Sequence, residues 1–239
     1  MALEAATGEG VPARHAARRS TPKQRHRVRH VLAGGVAAKL AGSYRASFLI
    51  KNSWGTSFGQ SGYFWISYYD SQVATANAMF YAPEPTNNYD NFYQHDPLGW
   101  VSSLGYTSGD KTMAWFANVF TATGSQDVRA VSFFVGSANS PYTVYVFVDL
   151  ADGDPTSGTL GATKTGAIAS EGYHTVVLDA PVPVSAGQKF SAVVHLTTPG
   201  WDFPIPVEYF QTGYSSGATA SAGESFFSHD NSTWADATT

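Results

Sequence analysis

Apolar and polar residues alternate along several short stretches of the chain after residue 89. In the stretch 188–196 every second side chain is apolar: Phe190, Ala192, Val194 and Leu196. A period of two residues is typical of a strand with one buried face. Strand-like segments also occur at Met113–Ala122, Val128–Val135, Tyr142–Leu150, Tyr173–Asp179, Val207–Thr212 and Glu224–His229. Since no stretch has a strong helical period, the pattern predicts a mainly β fold, an antiparallel β-sandwich or jelly roll over residues 89–239.

A second pattern precedes this region. Two short apolar runs, Phe48–Lys51 and Gly62–Tyr69, flank a loop rich in glycine and serine, which predicts a β-hairpin within residues 46–82. Residues 83–88 contain two prolines and two asparagines and are predicted to be a linker.

Composition narrows the possible chemistry. Charged residues make up 13% of the chain and aromatic residues 14%, as is typical of exported all-β modules. The chain contains no cysteine, which excludes disulfide bonds and any thiolate chemistry by its own residues. No apolar run approaches the roughly 18 residues that a membrane-spanning helix needs, and the chain shows no signal peptide.

The charge is divided unevenly along the chain. Residues 1–45 hold nine of the 14 basic residues and two of the 18 acidic ones. This stretch lacks an apolar period, and we predict a disordered basic tail that contributes no stability. Sequence foreign to the natural protein is an equal alternative on composition. An arm that binds nucleic acid is disfavoured, and we expect no nucleic-acid partner.

The most specific signal is the run Lys51-Asn52-Ser53-Trp54-Gly55, followed by Phe58-Gly59 and Gly62-Tyr63. It closely resembles the asparagine active-site motif of papain-like cysteine peptidases. The resemblance implies that residues 46–82 are the C-terminal hairpin of a peptidase domain. A full-length parent would cut peptide or protein substrates with a Cys-His-Asn triad, and this chain would be inactive alone.

The resemblance assigns roles to individual residues. Asn52 would orient the catalytic imidazole, and Trp54 would shield the hydrogen bond between the asparagine and that imidazole. His30 lies 22 positions before Asn52 and is a candidate for the catalytic histidine, although the strand that usually follows is missing from the pattern. A histidine without a catalytic role is the alternative for His30.

The remainder of the chain has a weaker resemblance. Tyr89–Trp100, Ala114–Ala122, Gly172–Val176 and Ala186–Ser191 follow each other as in the lectin-like domain of bacterial and archaeal papain-family peptidases. This resemblance implies an extracellular or cell-surface protein, with a glycan or surface ligand for the sandwich. The rival hypothesis is a non-enzymatic binding module whose hairpin is only scaffold.

Two further candidates concern ligands of the sandwich. Sugar rings could stack on Trp100, Trp115, Trp201 or Trp234, although tryptophan in a sandwich more often belongs to the core. Asp149, Asp152 and Asp154 could bind Ca²⁺, although such a cluster is more often a solvated turn. We therefore predict neither a cofactor nor a metal site.

Overall fold

The computed structural model describes residues 3–7, 47–52, 54–72, 85, 87–151 and 153–238. The chain divides into two units, one of Met1–Ala13 with Pro85–Thr239 and one of Arg14–Glu84. The division between Glu84 and Pro85 lies inside the predicted linker at 83–88. The other unit begins at Arg14, earlier than the hairpin boundary predicted at residue 46.

Fourteen strands occur in the described residues, numbered here in chain order. They are β1 Leu3–Thr7, β2 Ser47–Lys51, β3 Tyr63–Ser67, β4 Asn91–Tyr93, β5 Ser102–Leu104, β6 Met113–Thr121, β7 Gln126–Val135, β8 Ser140–Val148, β9 Thr159–Ile168, β10 Gly172–Val184, β11 Lys189–Thr197, β12 Ile205–Val207, β13 Ser225–Ser228 and β14 Ala235–Asp236. The described residues contain no helix, and therefore none that could cross a membrane.

The larger unit is an antiparallel β-sandwich, which confirms the predicted fold class. One sheet has four strands in the order β10-β7-β1-β4, and the other has six in the order β14-β13-β6-β11-β8-β9. A separate two-stranded pair joins β12 to β5. The alternation predicted for β11 is confirmed on the inner face, where Phe190, Ala192, Val194 and Leu196 are fully buried.

The hydrophobic core lies between the two large sheets. Phe116 on β6 and Phe133 on β7 are fully buried and meet edge to face, with ring centroids 6.3 Å apart. Full burial of such a side chain stabilises the fold by about 1.5–3 kcal/mol. Asn118, also on β6, is buried and accepts a hydrogen bond from Ser225 Oγ at 2.9 Å, which satisfies a polar group in the interior.

One prediction about the N-terminal region is wrong. Leu3–Thr7 is not part of a disordered tail, because it forms strand β1 between β7 and β4. Ala5 and Thr7 are 0% exposed and Ala6 is 2% exposed, so the segment contributes to the sandwich core. Its small side chains gave no apolar period in the sequence, although they fit a narrow space between two strands. The other predictions for residues 8–45 concern a part of the chain outside the described residues.

The smaller unit contains the predicted hairpin. β2 pairs antiparallel with β3 from Ser47 opposite Ser67 to Lys51 opposite Tyr63. Ile50 and Phe64 face each other across the pair and are 2% and 9% exposed. The hairpin therefore buries its own small apolar centre.

Candidate functional site

The candidate catalytic asparagine lies directly after the first strand of the hairpin. The backbone N–H of Asn52 donates to the Gly62 carbonyl at 2.9 Å, which closes the loop at its base. Beyond this point Phe58 meets the ring of Phe64 edge to face, with centroids 5.8 Å apart. The aromatic residues of the motif thus fix the loop that carries Asn52.

The side-chain amide of Asn52 has a defined orientation. Its Oδ1 accepts the backbone N–H of Trp54 at 2.5 Å, and the residue is 9% exposed. This bond identifies the oxygen, because a flipped amide would place two donors against each other. Nδ2 is buried and has no hydrogen-bond partner among the described residues. Leaving such a buried donor unpaired costs about 1–3 kcal/mol.

The resemblance also assigns roles to Trp54 and His30, of which only Trp54 is among the described residues. Trp54 lies beside Asn52, but its side chain is 57% exposed and meets Phe58 edge to face at 5.0 Å. His30 lies outside the described residues. The structure therefore brings Asn52 and Trp54 together and leaves the positions of His30 and of any imidazole beneath Trp54 undescribed.

The tryptophans considered for sugar stacking make different contacts. Trp100 donates through Nε1 to Ser103 Oγ at 2.9 Å, and Trp201 donates to the Phe203 carbonyl at 2.9 Å. The ring of Trp115 is stacked between its neighbours on the outer face of the six-stranded sheet, at 4.2 Å from His195 and 5.6 Å from Tyr145. Faces that are stacked against other rings are not available to a sugar. Trp234 instead lines a groove.

This groove, termed here the outer groove, has a volume of about 500 Å³ and lies on the outer face of the six-stranded sheet. Its lining includes Val119, Asp154, Lys189, Phe226, Trp234 and Asp236. Apolar rings beside a few polar groups are the usual composition of a site for a small organic ligand. Sequence reasoning proposed Trp234 and Asp154 but missed Lys189 and Phe226, whose outward placement depends on the strand register.

The carboxylates of the outer groove are held in place by hydrogen bonds. Asp154 Oδ1 accepts from the Thr156 backbone N–H at 2.7 Å. Asp236 Oδ2 accepts from the Gly223 N–H at 2.6 Å. Burial acts to raise the pKa of Asp236, but hydrogen bonds from Thr238 and Gly223 outweigh it, and the pKa is lowered overall. Asp236 is therefore ionised at neutral pH and faces the groove as an anion.

A second groove of about 550 Å³ shares Val119, Lys189 and Gly223 with the outer groove. His95 and Glu224 line its far side. Nε2 of His95 lies 2.8 Å from the Val119 carbonyl, and the ring stacks on Phe120 with centroids 4.8 Å apart. The two grooves therefore adjoin at these three shared residues.

The described residues do not gather a metal site. They contain no group of three or more His, Cys, Asp or Glu side chains suited to a metal ion. Asp149 Oδ1 accepts from Gln188 Nε2 at 2.8 Å, and Asp154 is engaged with Thr156. Asp152, the third residue of the cluster considered in the sequence, lies outside the described residues.

Two protein-family models match the chain. The model of the lectin-like domain matches residues 92–239. Since this match covers more than half of the chain, the chain belongs to the lectin-like domain family. Residues 15–83 match the papain family cysteine protease model. Both resemblances stated from the sequence are thereby confirmed: residues 15–83 are similar to the papain family, and a lectin-like domain follows them.

Two solved structures are similar to this chain. The clostridial cysteine protease Cwp84 after propeptide cleavage is 22% identical, with a TM-score of 0.53 over 80% of this chain and 46% of that chain. The cysteine protease and lectin-like domains of Cwp84, a surface layer associated protein of Clostridium difficile, are 21% identical, with a TM-score of 0.47 over 80% and 41%. The chain thus spans less than half of either structure. No curated protein sequence matches the chain.

Proposed function

We propose that this chain is the asparagine-bearing part of an exported papain-type peptidase and that its lectin-like domain binds a neutral surface glycan. The full-length parent hydrolyses peptide bonds through a cysteine thiolate, and this chain contributes the residue that orients the imidazole. The buried, oriented amide of Asn52 is the observation that carries the first part of the proposal.

The chemistry of the triad accounts for that amide. An amide oxygen holds an imidazole by accepting its ring N–H, without adding a charge to the site. Oδ1 of Asn52 is fixed by Trp54 N–H and keeps a second lone pair for such a donor. In the parent, the exposed ring of Trp54 covers this hydrogen bond and excludes water from it.

His30 is the candidate donor. It falls within residues 15–83, the range that matches the papain family, and within the unit Arg14–Glu84. These two observations support assigning residues 15–45 to the peptidase segment instead of to a separate tail. His15 and His26 also fall within this range, and the spacing of 22 positions before Asn52 favours His30 among the three.

Histidine tautomers give a test that does not require catalysis. In the chain labelled with ¹⁵N-histidine, Asn52→Ala should change the tautomer ratio or ring shifts of His30 alone, with the signal assigned through His30→Gln. His26→Gln serves as the matched control and should leave the signal of His30 unchanged. A His30 signal that is insensitive to Asn52→Ala would remove His30 from the proposed triad.

The glycan part of the proposal rests on the outer groove. A sugar ring presents C–H faces that pack on aromatic side chains and hydroxyl groups that donate and accept hydrogen bonds. Trp234 supplies the apolar surface, because Phe226 is only 3% exposed, and Asp154 and Asp236 supply acceptors. Because the two acids outnumber Lys189, the one basic residue in the lining, the groove suits a neutral glycan better than an acidic one. An extracellular or cell-surface location is consistent with this ligand and with the surface layer association of Cwp84.

An array of neutral and acidic bacterial glycans tests this assignment. We expect the chain to retain neutral oligosaccharides and to lose them with Asp154→Ala or Trp234→Ala. Lys164→Ala is the matched control, because Lys164 pairs with Asp179 and does not line the outer groove. Retention of acidic glycans only, or neutral binding that survives both groove substitutions, would contradict the proposed site.

A further inference from the structure

The four-stranded sheet is completed by a segment from the far end of the chain. β1 lies between β7 and β4, with Ala5 opposite both Val131 and Tyr93. Residues 8–90 separate β1 from β4 in sequence, and the unit Arg14–Glu84 lies within this interval. The central position of this sheet is therefore filled by a strand that is remote from both of its neighbours.

The strand is enclosed on both of its faces. Ala5 belongs to the core cluster between the sheets, and its neighbour Ala6 points to the opposite face yet is 2% exposed. Ala6 lies opposite Ala130, which is fully buried. Enclosure on both sides restricts these two positions to small side chains, because a larger one has no space to occupy.

Polar side chains form hydrogen bonds around the end of β1. Thr7 Oγ1 donates to Gln126 Oε1 at 2.9 Å, and Asn91 Nδ2 donates to the same oxygen at 2.9 Å. Gln126 Nε2 in turn hydrogen-bonds the hydroxyl of Tyr93. The carbonyl of Thr7 accepts the backbone N–H of Asp90 at 2.8 Å. Thr7 is therefore bound through both its side-chain hydroxyl and its backbone carbonyl.

Without β1, the sheet would have an open slot. In this sheet β1 is hydrogen-bonded to β4 on one side, and on its other side it covers one edge of the ten-residue strand β7. An uncovered edge of this kind pairs readily with another extended chain, because its backbone N–H and carbonyl groups have no partners.

We propose that the space between β7 and β4 is a peptide-binding slot that accepts an extended segment with two small residues followed by serine or threonine. Leu3–Thr7 occupies this slot within its own chain. The ladder hydrogen bonds supply affinity independent of sequence, and the narrow faces and Gln126 supply selectivity. This site is separate from both the hairpin and the outer groove.

In the test, the full chain folds before it is cleaved, so that the strand is in place when cleavage begins. A recognition sequence for a site-specific endopeptidase is inserted between Gly8 and Arg14, and the folded full chain is then cleaved under native conditions. We expect the N-terminal peptide to co-elute with the remainder in gel filtration and to exchange slowly with a fluorescein-labelled Met1–Gly8 peptide.

Variants of the labelled peptide define the selectivity. Ala5→Arg should compete at least about tenfold more weakly than the natural peptide, and Thr7→Val should also be weaker. A peptide with Met1→Leu, outside the strand, is the matched control and should compete like the natural one. Release of the peptide on cleavage with an unchanged NMR spectrum of the remainder would overturn the proposal, as would equal competition by Ala5→Arg. A dimer that forms before cleavage and exchanges its strands would assign the slot to a second copy and overturn occupancy within one chain.

Discussion

The imidazole of His195 lies nearly parallel to the indole of Trp115, with ring centroids 4.2 Å apart and an interplanar angle of 12°. The strand register places these residues directly opposite each other on β11 and β6. Nε2 of His195 is buried and has no hydrogen-bond partner among the described residues. Burial lowers the pKa of His195 below its usual value of 6.5.

A pH dependence of stability follows from this lowered pKa. Between the folded pKa and 6.5 the unfolded chain binds more protons at His195 than the folded chain, so the free energy of unfolding falls as pH drops below 6.5. Denaturant unfolding from pH 7.5 to 5.5 should show this loss in the natural chain and a smaller loss in His195→Gln. Tyr145→Phe alters a ring that stacks on Trp115 but leaves the imidazole of His195 in place, so this variant should keep the pH dependence of the natural chain. Identical profiles for the natural chain and His195→Gln would contradict the assignment.

The loop that carries Asn52 should depend strongly on Gly59. A Cβ at Gly59 would lie 2.3 Å from the Tyr63 carbonyl oxygen, whereas one at Gly55 meets nothing within 4 Å. Both residues have positive φ, so alanine at either position carries similar backbone strain of roughly 1 kcal/mol, and only Gly59→Ala adds a clash. Amide exchange at Asn52 and Gln60 should accelerate more in Gly59→Ala than in Gly55→Ala. Equal acceleration in both variants would show that the contact with Tyr63 is unimportant.

The sandwich core should respond to loss of a ring according to burial. Phe116 is 0% exposed and Phe203 is 50% exposed. Phe116→Ala should lower the free energy of unfolding by about 3–5 kcal/mol, because it removes buried surface and leaves a cavity. Phe203→Ala should have a much smaller effect in the same denaturant titration. Similar losses for the two variants would mean that the core does not lie between β6 and β7.

Much of the sandwich could be predicted from the sequence because its central strands bury one regular face. β6 and β8 were predicted to within two residues at each end, since Phe and Val fall on alternate inner positions. β9 was missed. It lies at the edge of the six-stranded sheet, is mostly exposed, and contains glycines at 161 and 166 in place of apolar side chains.

Other features depend on contacts that the local pattern cannot express. The alternation along β11 implies a solvent-facing Ser191, but Ser191 is fully buried and donates to the Pro155 carbonyl at 2.5 Å. The loop that covers Ser191 is distant from it in sequence, so the local pattern of apolar residues cannot indicate that Ser191 is buried. β1 was missed for the same reason, because its alanines become core residues only between β7 and β4. The position of Asn52 was predictable, since a specific motif defines it, whereas the outer groove required the strand register.

Peptide hydrolysis by the purified chain tests most directly the claim that the chain is inactive without a cysteine thiolate. The chain holds Asn52, the proposed orienting residue, but no thiolate, since it contains no cysteine. With a panel of fluorogenic peptides, turnover by the natural chain and by Asn52→Ala should both equal that of a protein-free blank. Turnover that persists through purification of the natural chain and disappears in Asn52→Ala would contradict the account, because it would require a nucleophile other than a cysteine thiolate.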